Sequence, residues 1–272
     1  MGELPSIPHY DVVRELHRGG MTILYLVRDD QGYPAVLRIL RPEFARDSRI
    51  RRRFTRAAQI MEELVPHVPQ LIECGRHKGL YYMVLHYIPG GNLRELILHR
   101  DRRLIASPLP LLIRIAEAIA AIHARGYLHM DIKPENVLVV KDSLDIFIID
   151  CDLAVQYSGA PVKLGVKPGT PAYVAPEALS VGVVDERSDI FSFGVTAYEA
   201  LTFHKPFEAE SVEEMRRRQV SPDQPPTPIG RYRQDVSRDL ERIILKCLAK
   251  APDQRYPSMA LVVRDMRSLI RQ

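Results

Sequence analysis

The chain has 272 residues, of which 46% are hydrophobic and 26% charged, and its formal net charge is +4. This composition is typical of a globular protein with one large domain or two small lobes, and it excludes a disordered chain. So small a net charge indicates neither a nucleic-acid-binding protein nor one that binds anionic membranes.

The sequence also bears on location and on cysteine chemistry. No apolar run approaches the roughly 18 residues that a membrane-spanning helix needs, and the start MGELPSIPHY lacks a basic region followed by an apolar one. We therefore expect a cytoplasmic protein without a membrane span. Cys74, Cys151 and Cys247 are odd in number and far apart, so we interpret all three as core residues and not as disulfide partners or metal ligands.

The first part of the chain, residues 10–86, is rich in short β-like runs. Five of them, YDVVREL, TILYLVRD, YPAVLRIL, QLIECG and LYYMVLHY, are separated by turn residues and predict an antiparallel sheet. Between the third and fourth runs, residues 48–64 place Phe54, Ala57, Met61 and Leu64 at helical spacing, which predicts one helix in this part.

Beyond IPGGNL the hydrophobic period becomes helical. Residues 109–123 carry Leu112, Ile115, Ile119 and Ile122 on one stripe, and further helices are predicted around 189–201, 236–249 and 257–270. The proline-dense stretch SPDQPPTP, residues 221–228, predicts a surface loop. The second part of the chain is therefore expected to be mainly helical.

Four motifs follow one another in this second part: HMDIKPEN, IIDCDLA, GTPAYVAPEAL and SDIFSFGVTAYEALT. Their order behind a β-rich part resembles the Hanks-type Ser/Thr protein kinases, and bacterial members in particular, over residues 10–268. The resemblance implies an α+β, bilobal protein-kinase-like fold made by one domain, residues 1–272. Its small antiparallel β lobe would span about 8–86, its hinge about 87–92 and its mainly α lobe about 93–270.

The resemblance also implies roles for polar residues of the large lobe. Asp131 matches the acid that orients the substrate hydroxyl and accepts its proton, and Lys133 matches the lysine that neutralises charge on the γ-phosphate. Asn136 and Asp150 match the oxygen ligands of Mg²⁺, which is expected together with ATP. Thr170 matches the threonine beside the protein substrate.

Three more residues of the large lobe match architectural positions. Glu177 and Arg255 resemble the buried ion pair that fixes the activation segment, and Asp189 resembles the acid that holds the backbone of the catalytic loop. His123 and His129 lie close to Asp131 in sequence, which suggests a metal site as an alternative. Both also fit the family's segment before the catalytic loop, where they would pack and form hydrogen bonds.

In the small lobe and at the start of the hinge, the positions that contact the nucleotide in the family correspond to Gly19, Arg38, Leu85 and Tyr87. Gly19 is the one glycine of the family's three that remains. Arg38 stands where the family has its phosphate-binding lysine, and Ala57 stands where the family has the glutamate that pairs with that lysine. Lysine is scarce throughout, since 8 of the 38 basic residues are lysines and 30 are arginines.

The segment that controls activation in the family also departs from its pattern. Met130 replaces the arginine that binds a phosphorylated activation loop in many kinases, so regulation by such phosphorylation is not expected. Cys151 and Asp152 replace the phenylalanine and glycine that follow the magnesium-binding acid. We expect these two residues to hold the loop in one state.

Two functions follow from these matches and departures. The first is a pseudokinase, a signalling protein that binds Mg-nucleotide but transfers phosphate very slowly or not at all. The second is an active atypical Ser/Thr kinase in which Arg38 contacts the phosphates, and transfer of another group, such as a nucleotidyl group, is a third alternative. The partners are expected to be proteins, not nucleic acids. Arginines at 49, 51, 52, 53 and 56 form either a solvated face or a docking site for an acidic partner.

Overall fold

The structure is a computed structural model that describes residues 5–141, 143–165 and 169–270. The ends of the expected domain, residues 1–4 and 271–272, lie outside the described residues. The chain divides into two compact units on either side of the Pro89–Gly90 bond, here called the small unit and the large unit. Within the described residues, no helix is both long and apolar enough to cross a membrane.

The small unit is a five-stranded antiparallel sheet with one long helix. The strand order is β1-β2-β3-β5-β4. The strands are β1 (Tyr10–Arg18), β2 (Thr22–Asp29), β3 (Pro34–Leu40), β4 (Leu71–His77) and β5 (Leu80–His86). All five predicted runs therefore form strands, and adjacent strands are antiparallel, as predicted.

The two faces of this sheet carry different residues because side chains alternate along each strand. Ala35, Leu37 and Ile39 of β3 pack in a buried cluster with residues of β2 and β5. Val36 and Arg38 point to the opposite face, and the register pairs Val36 with Leu85 across β3 and β5. Arg38 and Leu85 therefore lie on the same face of the sheet.

Helix α1 (Ser48–Leu64) has the bounds that its hydrophobic spacing predicts. Asp47 begins the helix because its carboxylate accepts the backbone N–H groups of Arg49 and Ile50. The buried face of α1 consists of apolar residues: Phe54, Ala57, Ala58, Ile60, Met61 and Leu64. This apolar face stabilises the helix by packing within the small unit.

The cysteine prediction is wrong at one position. Cys151 and Cys247 are buried, but Cys74 is exposed. Cys74 lies on β4, which forms the edge of the five-stranded sheet, and most residues of that strand are open to solvent. An edge strand has a neighbour on one side only, so an apolar residue there is less completely covered than in a central strand.

The large unit is mainly helical, as predicted. Its helices are α2 (Leu93–Leu98), α3 (Arg102–Ala106), α4 (Pro108–Ala124), α5 (Pro176–Ser180), α6 (Glu186–Thr202), α7 (Val212–Val220), α8 (Arg238–Cys247) and α9 (Met259–Ser268). Its short strands are β6 (Gly90–Asn92), β7 (Tyr127–Leu128), β8 (Val137–Val140), β9 (Ile146–Ile148), β10 (Val155–Gln156), β11 (Val162–Lys163) and β12 (Val183–Val184). Residues 221–228 form a loop, again as predicted.

Helix α6 is the centre of the large unit. Its residues from Ser188 to Thr202 are all buried, and α4, α8 and α9 pack around it. Gly194 has no side chain because a Cβ there would come within 2.9 Å of the Cys247 Cβ atom on α8. A helix buried on all sides provides a fixed base for the loops that contact it.

Residues 90–92, which the sequence assigns to the hinge, form strand β6 of the large unit. This strand pairs with β8, and β8 pairs with β9. The glycine at 90 permits the pairing, since a Cβ there would lie 2.1 Å from the Val139 carbonyl oxygen. Strands β8 and β9 belong to the segment between Asp131 and Asp150, and β6 pairs with the first of them.

Candidate active site

The catalytic loop runs from the end of β7 to the start of β8. Ile132 is completely buried, and residues Pro134–Asn136 form a 3-10 turn that ends where β8 begins. Met130 has a left-handed backbone conformation, with φ of 66°. Asp131 directly precedes the buried Ile132, and the turn and β8 follow, so the loop around Asp131 is fixed by packing on one side and by a strand on the other.

The Asp131 carboxylate is oriented by three donors. Its Oδ2 atom accepts hydrogen bonds from Lys133 Nζ at 2.7 Å and from Asn136 Nδ2 at 2.8 Å, and its Oδ1 atom accepts from the Thr170 backbone N–H at 3.3 Å. Lys133 Nζ also donates to Thr170 Oγ1 at 2.9 Å. The structure therefore brings together Asp131, Lys133, Asn136 and Thr170, which are separated by up to 39 positions in the sequence.

Asn136 and Asp150 have the chemistry that a magnesium site requires. The Asn136 Nδ2 group donates to both the backbone and the side chain of Asp131, which leaves the amide oxygen to bind a cation. The Ile149 N–H donates to the Asn136 carbonyl at 2.9 Å, so the two candidate ligands lie on neighbouring segments. Asp150 itself has φ of 65°. A carboxylate and an amide oxygen suit Mg²⁺, a hard cation that keeps its other positions for phosphate and water.

Asp189, near the start of α6, binds the backbone of the catalytic loop. Its Oδ2 atom accepts the His129 N–H at 2.7 Å, and its Oδ1 atom accepts the Met130 N–H at 2.9 Å. Burial would raise the pKa of Asp189, but the hydrogen bond with His123 and the histidine charge outweigh it and lower the pKa. Asp189 is therefore an ionised carboxylate that holds two backbone N–H groups of the loop.

His123 is the charged partner of Asp189. Its Nε2 atom lies 2.9 Å from Asp189 Oδ2, and its Nδ1 atom lies 3.4 Å from Glu186 Oε2. Burial alone would lower the pKa of His123, but the hydrogen bond to Asp189 and the nearby Glu186 raise it to about 9. The other histidine, His129, places its Nε2 atom 3.1 Å from the Ile149 carbonyl. In the described part of the chain, no three His, Cys, Asp or Glu residues are arranged to hold a metal.

Glu177 and Arg255 form a bidentate ion pair in the large unit. The Arg255 Nη1 and Nη2 atoms lie 2.9 and 2.8 Å from the two carboxylate oxygens of Glu177. The Arg255 side chain is fully buried and also donates to three backbone carbonyls, those of Arg187, Ala249 and Lys250. All its donors are satisfied, so the pair joins the helix after the activation segment to the loop before α9.

A further polar cluster was not predicted from the sequence. This cluster, which we call the Arg94 cluster, consists of the buried Tyr173 and Glu199 and the half-buried Arg94 and Glu135. Arg94 on α2 donates to Glu135 Oε1 at 2.8 Å and to Glu199 Oε1 at 2.8 Å, and it also donates to the Tyr173 hydroxyl. Burial and the Glu199 carboxylate raise the pKa of Tyr173, whose hydroxyl donates to Glu199 Oε2 at 2.6 Å. The cluster joins α2, the catalytic loop, the activation segment and α6.

One feature of the sequence could have identified this cluster. Glu199 follows Tyr198 in the apolar run FSFGVTAYEALT, and a carboxylate at a buried position of such a helix requires a partner. Arg94 follows the N-cap Asn92 by two residues, and the acid beside it, Glu95, is its immediate neighbour on the helix, where adjacent side chains do not face each other. The identity of the partner is therefore given by the tertiary structure alone.

The remaining candidates lie in the small unit. Arg38 is 6% exposed, and its guanidinium carbon lies 5.6 Å from the centre of the Phe54 ring on α1. Leu85 is buried on the same face of the sheet, and Tyr87 follows the end of β5. Gly19 lies in the turn between β1 and β2, where its N–H donates to the Thr22 carbonyl at 2.9 Å. Their proposed contacts with a nucleotide stay predictions.

The two residues after Asp150 that depart from the family pattern, Cys151 and Asp152, are buried to different extents. Cys151 is 1% exposed and begins a 3-10 turn, Cys151–Leu153, whereas Asp152 is half-buried. Met130 is buried as well, with 6% of its surface exposed. Met130 and Cys151 are therefore packed in the interior, whereas Asp152 is only half-buried.

Comparison with known proteins identifies the family. A model described as the protein kinase domain matches residues 10–265. The chain is 30% identical to serine/threonine-protein kinase PrkC of Bacillus subtilis over 265 residues, which cover 95% of this chain and 40% of that protein. It is 31% identical to serine/threonine-protein kinase PknB of Mycolicibacterium smegmatis over 269 residues, covering 94% and 42% of the two chains.

A third relative, the probable serine/threonine-protein kinase PkwA of Thermomonospora curvata, is 31% identical over 265 residues, covering 97% of this chain and 34% of that protein. The chain thus spans about two fifths or less of the length of these relatives. The region matched by the family model includes both units and all four motifs. The chain therefore belongs to the Hanks-type Ser/Thr protein kinase family.

Proposed function

We propose that this kinase-family domain, residues 1–272, is a signalling protein that binds Mg-nucleotide and transfers phosphate very slowly or not at all. One observation in the small unit carries the proposal. Arg38, in the position of the phosphate-binding lysine, is buried against Phe54, and Ala57, in the position of its glutamate partner, is 1% exposed among apolar residues. The charge couple of the family is absent at these two positions.

The substitution matters because phosphoryl transfer depends mainly on positioning and electrostatic stabilisation. A guanidinium is wider and planar, so it does not reproduce the contacts of a lysine ammonium. Its attraction to an aromatic ring, about 0.5–2 kcal/mol, also competes with its attraction to phosphate. The two acids of α1, Glu62 and Glu63, are exposed and do not lie on the buried face where Ala57 replaces the family's glutamate. We therefore expect the γ-phosphate of bound ATP not to lie in line with the acceptor hydroxyl.

The large unit supports the nucleotide-binding part of the proposal. Asn136 and Asp150 would hold Mg²⁺, which when bound neutralises charge on the phosphates. The partners are proposed to be proteins, since the relatives are named serine/threonine-protein kinases and the net charge of +4 is modest for a nucleic-acid-binding protein. A cytoplasmic location is part of the same proposal.

Nucleotide binding is tested by thermal denaturation. Mg-ATP at about one hundred times its dissociation constant adds about 2.7 kcal/mol to the free energy of unfolding, which raises Tm by several degrees for a chain of this size. The shift should disappear when EDTA removes magnesium, and it should be much smaller in Asp150→Asn. Equal shifts with and without magnesium, in both proteins, would contradict the assignment of Asp150.

A second function is supported by the hydrogen-bonded cluster around Asp131. In an active kinase, the Asp131 carboxylate would orient the acceptor hydroxyl and take its proton, while Lys133 would neutralise the transferred phosphoryl group. Thr170 would position the substrate, through the contacts that it already makes with both residues. This candidate is an active Ser/Thr kinase that uses Arg38 to bind phosphate.

A transfer assay with ATP labelled at the γ-phosphate and a mixture of Ser/Thr peptides separates the two functions. The proposal predicts a rate for the unmodified protein close to that of Asp131→Asn and Asp150→Asn. A rate far above both, which falls when Arg38 is changed to alanine, would establish the active enzyme instead. Tm values of all variants show whether a low rate reflects unfolding.

A further inference from the structure

The N-terminal part of α1 and the residue before its cap carry a surface that we call the basic stripe: Arg46, Arg49 and Arg52. We propose that the basic stripe is a docking site for an acidic segment of a partner protein. The inference concerns binding at the small unit and requires neither nucleotide binding nor phosphate transfer. It therefore stands or falls independently of the proposed function.

The stripe is open to solvent along its length. Arg46, Arg49 and Arg52 are all exposed, and Thr55 and Gln59 continue an exposed, polar surface further along the helix. Residues three apart on a helix are neighbours on one face, so Arg49 and Arg52 lie side by side, about 4.5 Å apart along the axis. The apolar face of the same helix is buried within the small unit.

The acids closest in sequence to the basic stripe already bind other groups. The Asp47 carboxylate accepts the N–H groups of Arg49 and Ile50 at 2.8 and 3.2 Å. Glu43 forms an ion pair with Arg41, which also donates to carbonyls in the β1–β2 turn. Among the described residues, the three side chains of the basic stripe form no ion pair with an acid.

The arrangement is unfavourable for the unbound protein. Like charges three residues apart on a helix repel each other. The N-terminus of a helix carries a partial positive charge, which favours acids over arginines, and the first turn of α1 contains no acid. Both effects are relieved when anions bind to the stripe, so the surface is electrostatically complementary to an acidic partner.

Arginine also indicates which kind of anion binds. Its planar guanidinium forms two parallel hydrogen bonds with a carboxylate, which gives geometric specificity as well as charge attraction. A membrane-binding helix would instead expose an apolar face beside its basic residues, and the apolar face of α1 is buried. Single-stranded nucleic acid is disfavoured because the exposed neighbours Thr55 and Gln59 offer no aromatic ring on which bases stack. A segment rich in Glu and Asp fits best.

The test is fluorescence anisotropy with a short fluorescein-labelled polyglutamate peptide, titrated at low and at physiological salt. We expect the peptide to bind the unmodified protein and to bind the double variant Arg49→Glu, Arg52→Glu at least about tenfold more weakly. The control is Arg216→Glu, Arg238→Glu, which changes net charge equally at exposed positions of α7 and α8. The control should bind within about twofold of the unmodified protein.

Further measurements keep the outcome interpretable. Arg49→Gln, Arg52→Gln replaces the double reversal if that variant does not fold, and we expect Tm of either α1 variant to equal or exceed that of the unmodified protein. The proposal is overturned if the peptide does not bind, or if both double reversals weaken binding equally. Tighter, stripe-dependent binding of a DNA duplex or of anionic lipid vesicles would also overturn it, because the partner would then belong to another class.

Discussion

The position of the Asp131 carboxylate requires that the residue before Thr170 has no side chain. Gly169 precedes Thr170 and has φ of 40°, and a Cβ atom at this position would lie 3.0 Å from Asp131 Oδ1 and 3.1 Å from the Met130 carbonyl oxygen. The residue before Thr170 is therefore glycine for two reasons, its backbone conformation and its closeness to the carboxylate. The hydrogen bond from the Thr170 N–H to Asp131 depends on both.

Gly169→Ala is predicted to destabilise the protein by about 1–3 kcal/mol, because the methyl group would push against the carboxylate in a strained backbone conformation. Urea unfolding measures the change in free energy. Gly165→Ala, in the same segment, is the control, since a Cβ there meets no atom within 4 Å. Equal effects of the two substitutions would show that Gly169 is not constrained by the site.

His123 makes the stability of the large unit dependent on pH. Its pKa is raised in the folded protein to about 9 from an ordinary value of 6.5. The folded state therefore binds the proton more tightly, and the resulting stability is complete below about pH 6.5 and is lost as pH rises through about 9. The maximum contribution is about 3 kcal/mol, from about 1.4 kcal/mol for each pH unit.

The prediction is tested with His123→Gln, which keeps a polar side chain but does not titrate. The difference in free energy of unfolding between the unmodified protein and this variant should be largest near pH 6 and should shrink steadily towards pH 10. A difference that stays constant over this range would mean that folding does not shift the pKa of His123, and the prediction would be wrong.

Single residues also show where sequence-based reasoning was sufficient. The spacing within HMDIKPEN places Asp131, Lys133 and Asn136 on one short loop, and the structure joins their side chains in one hydrogen-bonded group. Such contacts are local, because the three residues lie within six positions of one another, and their roles were implied by the resemblance to the family. Thr170 comes from 39 positions away, and its place in the group was implied only by the resemblance to the family.

Among the elements, helix α6 and the buried charges around it are the base of the site. Arg94 on α2 pairs with Glu199 of α6, whose side chain is 6% exposed. Removing one partner of a buried ion pair leaves the other charge without compensation and costs about 3–5 kcal/mol. The Arg94 cluster therefore contributes to the fixed arrangement of the catalytic loop and the segment that contains Tyr173.

Arg94→Ala is accordingly predicted to lower the free energy of unfolding by about 3–5 kcal/mol. Arg114→Ala is a matched control because Arg114 and Glu117 form an exposed pair at 3.5 Å, whose loss should cost less than about 1 kcal/mol. Chemical denaturation of both variants gives the comparison. Similar losses for the two would show that Glu199 finds another partner or takes up a proton.

The elements that sequence reasoning missed are short or polar. Helix α1 was predicted at its observed bounds because 17 residues give several repeats of the hydrophobic period. Helices α2, α3 and α5 have five or six residues, fewer than two full turns, so no period is visible. Helix α7, with the sequence VEEMRRRQV, is polar on most sides and is recognisable only by its N-cap Ser211.

At the scale of the whole molecule, the two units differ in how far they keep the residues of the family's reaction. The large unit keeps the acid, the lysine and the two candidate magnesium ligands, whereas the small unit has Arg38 and Ala57 in place of a charge couple. The motif order was enough to predict an α+β chain with a β-rich part before a helical one. It did not predict that Arg38 would be buried against Phe54, because that contact depends on the packing of α1 against the sheet.

The most direct test restores the missing couple with the double substitution Arg38→Lys, Ala57→Glu and measures transfer of the γ-phosphate to Ser/Thr peptides. The control is Arg38→Lys with Gln59→Glu, which adds the same charges but places the glutamate at an exposed position of α1. The account predicts a rate near background for the unmodified protein and the control, and at least about a tenfold higher rate for the restored couple. Robust transfer by the unmodified protein, abolished by Asp131→Asn and not increased by restoration, would contradict it.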